Sequence, residues 1–133
     1  MTPNPYSAYR TTQITTAGTG DLVVLLYDAA VQALMLAEDA LEARAWSEST
    51  RQLVQAQKLV MELNNGVDVN RGGDLAVKLR GLYLYMYRSL VQASIDKNVA
   101  EVRRVRGLLD QLRASWRAVV KGEPALQPAS VAA

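Results

Sequence analysis

Residues 22–37 read LVVLLYDAAVQALMLA, and the way this stretch is buried decides the fold. Only Asp28 and Gln32 interrupt it, with Tyr27 amphipathic. A surface helix needs an apolar stripe about 100° wide, whereas this segment is apolar nearly all round. Such a helix is wrapped by its own fold, buried by a partner, or placed in lipid. Lipid is the weakest reading: the stretch is shorter than the roughly 20 apolar residues that span a bilayer, and Asp28 sits near its middle. It also starts too far into the chain, with no basic flank, to be a secretory signal. Leu, Met and Ala favour helix and outweigh the Val residues, and strands rarely run this long. Burial within a helical bundle follows.

Ahead of the stretch lies a polar, Thr-rich arm containing Asn4-Pro5-Tyr6-Ser7-Ala8-Tyr9-Arg10. Asn4 suits an N-cap and Pro5 a first helical position, and one turn sets Tyr6 and Tyr9 on the same side. Together with Ile14 they form a cap that either packs permanently on the bundle or acts as a displaceable flap. Helix 1 begins near residues 18–21, with Thr19 as cap and Asp21 set against the dipole, and runs to about residue 43. Trp46 and Ser47 mark a turn, with Ser47 capping a second helix over residues 48–64. Its core stripe is Leu53, Ala56, Val60 and Leu63. Asn64-Asn65-Gly66 stops it, and Val67 and Val69 tuck against the bundle end.

A third helix spans residues 74–95, with Leu75, Leu79, Leu82, Met86, Leu90 and Ala93 inward. Asn98 caps a fourth that repeats Val102, Val105, Leu109, Leu112, Trp116 and Val119 to about residue 121. Beyond Gly122, with Pro124 and Pro128, the tail has little to fold around. Short connections make neighbouring helices antiparallel. The class is all-α: an antiparallel up-down four-helix bundle with an N-terminal arm able to form a short extra helix. The divisions are residues 1–20 for the N-terminal arm or cap, 21–121 for the four-helix bundle and 122–133 for a tail expected to be disordered.

The chain of 133 residues has no cysteine and no histidine. It therefore lacks thiolate zinc sites, the commonest general base and the commonest transition-metal ligand. No nucleotide-binding or metalloprotease motif is present, and the inner stripes hold no carboxylate pair. The reading is of a non-enzyme with no cofactor. Helix 1 is acidic (Asp21, Asp28, Glu38, Asp39, Glu42) and helix 4 basic (Arg103, Arg104, Arg106, Arg113, Arg117). This partition suits cross-helix pairing. A nucleic-acid face is the alternative, but the basic face has no aromatic platform and the net charge is only +2.

Subtracting the inner stripes leaves apolar residues over. Val77, Leu84 and Val91 recur every seven residues on the outer face of helix 3, bordered by Tyr83 and Tyr87. Val54 and Met61 do the same on helix 2. Helices joined by one loop lie side by side, so these residues are expected to line an outer groove for a partner's amphipathic segment. Scattered outward aliphatics are also normal on any surface.

Several stretches in order resemble the flagellar secretion chaperone family FliS: Asn4-Pro5-Tyr6 with Tyr9, then Leu25-Leu26-Tyr27-Asp28, then Gly72-Gly73-Asp74-Leu75-Ala76 before Leu82-Tyr83-Leu84-Tyr85-Met86. Leu26 and Tyr27 carry the helix 1 part of the likeness. The resemblance implies a cytoplasmic chaperone that binds the disordered C-terminal segment of flagellin, prevents premature polymerisation and presents it to the export gate component FlhA. It implies an arm lying over the binding surface until the client displaces it. No cofactor, nucleic acid or membrane insertion is implied, and the chain is expected as a monomer or weak homodimer. Two positions depart from the pattern: Gly18-Thr19 stands where Ser-Pro is usual, and Ser94 where asparagine is frequent. A helical interaction module for a different client remains the alternative.

Overall fold

The computed structural model describes residues 19–122, and the expectations for the arm, including Tyr6, Tyr9 and Ile14, and for the tail lie outside them. Four helices follow one another: α1 (Thr19–Glu42), α2 (Trp46–Asn65), α3 (Val69–Asp96) and α4 (Val99–Val120). Each packs on its sequence neighbour, and α4 closes the ring against α1. This is the all-α bundle expected from the periodicity.

The core is one cluster drawn from all four helices. Helix α1 contributes most, with Tyr27, Ala30, Leu34 and Ala37 fully enclosed. The stripe on α2 (Leu53, Ala56, Val60, Leu63) and the first four members of that on α4 (Val102, Val105, Leu109, Leu112) are buried as their spacing requires, whereas Trp116 is only partly covered and Val119, in the last turn with no helix beyond it, is 52% exposed. By length and composition α1 is apolar enough to cross a membrane, but half of its most apolar window is buried inside the bundle.

The helix boundaries carry the differences from the sequence reading. Helix α1 ends on Arg44 in the left-handed region (φ 58°), with Ala45 N donating to Ala40 O at 2.8 Å and Arg44 N to Leu41 O at 3.1 Å. That is a Schellman closure made without glycine, so the residue types gave no warning of it. Ser47 is not the cap of α2: the helix starts at Trp46 after Ala45, with no side-chain cap bond. The seryl group that acts there is Ser49, whose Oγ donates back to Trp46 O at 2.9 Å. Asn98 does cap α4, its Oδ1 accepting from Glu101 N at 3.1 Å.

Helix α3 starts five residues earlier than expected. Asp68 caps it, accepting from Asn70 N and Arg71 N, and the helix is broken at Gly73 (φ 59°, ψ −138°) before it resumes. That backbone region is open almost only to glycine. Replacing Gly73 with Ala should destabilise the fold by about 1–3 kcal/mol. Gly81→Ala, at an exposed helix position with open space around the new methyl, should stabilise by about 0.5–1 kcal/mol. Urea unfolding of the pair reads both signs.

The inner face of α3 is also rotated from expectation. Leu75 is 52% exposed, and Leu79 and Leu82 are only partly covered. Tyr83, placed by its spacing at a border of the inner stripe and counted with the groove, is 1% exposed and lies in the core. Its hydroxyl meets that of Tyr27, with the rings tilted at a centroid distance of 6.4 Å. Tyrosine brings a large ring and a polar tip, and two tips that meet satisfy each other inside the core.

Candidate functional site: an open groove between α1 and α2

Because α1 is apolar on every side, the core cannot use all of it. Leu25 (54% exposed), Met35 (46%) and Leu36 (38%) are left on its outer surface. On the N-terminal half of α1 this surplus forms one wall of an open groove of about 690 Å³, made by Leu22, Leu25, Leu26 and Ala29. The opposing wall is α2, with Val54, Leu59 and Met61, and Tyr87 reaches in from α3. Polar side chains at the rim include Gln55, Lys58 and Glu62. An apolar floor with a polar rim is the usual anatomy of a protein-binding surface.

The structure therefore divides the residues read from sequence as one groove. Val54, Met61 and Tyr87 come together, with Leu26 of the helix 1 motif. Val77 is 59% exposed and Leu84 and Val91 are half-buried on α3, but none of the three lines this groove. Tyr83 and Tyr27 are core residues. Sequence reasoning missed Leu22, Leu25 and Ala29. The signal was the all-round apolarity of residues 22–37, which exceeds what a four-helix core can bury.

Electrostatics set the opposite seam of α1. Glu38, only 6% exposed, accepts from Arg103 Nε at 3.1 Å and from Arg106. Its hydrogen bond with Arg106 holds that guanidinium above its ordinary pKa, against the opposing effect of burial. Asp28 accepts from Arg113 at 3.1 Å and from Arg117 at 2.9 Å. Four arginines of α4 are thus engaged by carboxylates of α1. Arg104 bonds Glu101 and donates to the Tyr85 hydroxyl at 2.6 Å. The Arg104 bond lowers the Glu101 pKa, so its stabilising effect is present above the usual carboxylate range and fades as pH falls through the depressed value. Among the described residues, no group of three or more acidic side chains converges to hold a metal ion.

The family model for the flagellar protein FliS matches residues 2–123 of the chain. This chain belongs to the FliS family. Its relatives include the flagellar secretion chaperone FliS of Bacillus subtilis, 32% identical over 90% of this chain and 89% of that one. The flagellar secretion chaperone FliS of Salmonella typhimurium is 30% identical over 80% and 79% of the two chains. Flagellar secretion chaperone FliSB of Pseudomonas aeruginosa is 29% identical over 78% and 82%. The FliS family is one of non-enzymatic chaperones acting in flagellum assembly, which implies a protein client in flagellar export.

Proposed function

We propose that this chain is a cytoplasmic export chaperone whose client is flagellin. It holds the C-terminal segment of flagellin in the α1/α2 groove, prevents premature polymerisation, and delivers the subunit to FlhA at the export gate. The observation that carries this reading is the preformed apolar groove of about 690 Å³ in a member of the FliS family. A segment that is unfolded when free must be ordered on binding, so affinity has to come from a large apolar contact. Leu25, Val54 and Met61 supply the walls of that contact, and methionine adapts its shape to the client. The arm enters α1 beside Leu22, itself a groove residue, so it is tethered where it can cover the groove until the client displaces it. Where the arm is lifted and no client is bound, the groove is the surface through which two copies would pair weakly.

Titration calorimetry tests the client. Full-length flagellin should bind one-to-one with a large negative heat-capacity change, and flagellin lacking its C-terminal segment should give no heat. Equal binding of both forms would move the contact elsewhere on flagellin. Binding of neither would assign the groove to another export client.

A further inference from the structure

Helix α3 packs on α2 and α4, and its third side is open. At 3.6 residues per turn, Val77, Leu84, Val91 and Ile95 fall within about 40° of one another and mark out a lane about 27 Å long on that side. Val77 and Ile95 are exposed, and Leu84 and Val91 are half-buried. None of the four lines the α1/α2 groove. Exposed Tyr85 borders the lane, and its hydroxyl accepts from Arg104 at 2.6 Å, so the ring is held before anything binds. Gly81 lies in the lane too, and a methyl added there would meet nothing within 4 Å. The bundle's own packing thus gives no reason for a residue that weakens an exposed helix, whereas glycine does let a second backbone come close.

Charge identifies what would lie there. Residues 75–95 hold Lys78, Arg80 and Arg88 and no acidic residue. All three cations are exposed, and none takes part in an ion pair among the described residues. Every arginine of α2 and α4, by contrast, meets a carboxylate. We infer that the outer face of α3 docks an acidic amphipathic helix of a protein partner, with aliphatic side chains on the lane and carboxylates on Arg80 and Arg88. The two arginines are eight residues, or about 12 Å, apart, so the carboxylates that meet them lie about two turns apart on the incoming helix. An anionic bilayer offers the same charge, but a helix lying in lipid needs a broad apolar face, whereas a lane this narrow is the seam of a single helix pair. The site is separate from the groove assigned to flagellin and does not rest on that assignment.

The probe is a fluorescein-labelled synthetic helix of about three heptads with leucine at a and d and glutamate at e and g, where like charges keep it from pairing with itself. Its twin carries lysine at e and g. In anisotropy titrations with the full-length chain, the glutamate helix should bind at least about 10-fold tighter than the lysine twin, and more weakly as salt rises. Arg80→Glu with Arg88→Glu should reverse that preference. Val77→Glu with Ile95→Glu should weaken the glutamate helix at least about 10-fold, and Leu25→Glu, in the other groove, should change it by less than about 2-fold. All the substituted side chains are exposed, so circular dichroism should show the parent's helices. Equal binding of the two helices would overturn the inference. So would a preference untouched by the arginine reversal, or a loss caused by Leu25→Glu in place of Val77→Glu with Ile95→Glu. Sedimentation with phosphatidylglycerol vesicles that the arginine reversal abolishes, without binding of the glutamate helix, would give the face to a membrane surface and overturn it as well. None of these readouts involves flagellin, so this test and the client test fail separately.

Discussion

Replacing Met61 or Leu25 with glutamate should weaken client binding by at least about 30-fold, equivalent to about 2 kcal/mol, while the bundle stays folded. Both side chains line the α1/α2 groove, and Leu25 is 54% exposed in the free protein. A carboxylate there is hydrated before binding and has no partner once the client covers it, so the cost falls on the complex. Val77→Glu is the control. Val77 is equally open, at 59%, but lies outside the groove, and its variant should bind within about 2-fold of the parent, the margin expected for a substitution remote from the contact. Calorimetry against flagellin reads all three, with circular dichroism confirming the helices. Loss of binding by Val77→Glu together with normal binding by Met61→Glu would move the client to the outer face of α3.

Leu34→Ala should cost about 2–5 kcal/mol of stability. Leu34 is fully enclosed in the core, whereas Leu36, two positions on, is 38% exposed. Leu36→Ala should therefore cost less than about 1 kcal/mol. Urea unfolding of the two variants reports which side of α1 the bundle uses for itself. Equal costs would mean that the outer side is covered in the free protein.

The four helices were legible because three of them have one apolar stripe each and strong stops between them. Asn98 and the Leu53–Ala56–Val60–Leu63 repeat needed no tertiary information. The Arg44 closure did, because its left-handed residue is neither glycine nor asparagine. The Gly73 break was visible as a glycine pair but not as a kink inside a helix that had already begun at Val69. Tyr83 was misplaced for a different reason. A tyrosine at the border of a stripe can face either way, and the choice depended on Tyr27, 56 residues earlier, offering a hydroxyl. The groove was half legible. Val54 and Met61 were found by subtracting stripes, but the opposite wall came from α1, where subtraction fails because there is no single stripe to remove. In that helix the informative quantity was the excess of apolar residues over core capacity.

The α1–α4 ion pairs have a kinematic consequence. Asp28 meets Arg113 and Arg117, while Glu38 meets Arg103 and Arg106, so two clamps sit ten residues, or about 15 Å, apart along antiparallel helices. Within each clamp the two arginines lie about one turn apart, so sliding α4 by one turn, about 5.4 Å, sets one arginine of each clamp where the other was and leaves each carboxylate one arginine instead of two. Either direction halves the pairing of Glu38, which is nearly buried. The four ion pairs therefore favour a single register of α1 against α4, which leaves α2 and α3 as the more readily adjusted side of the bundle.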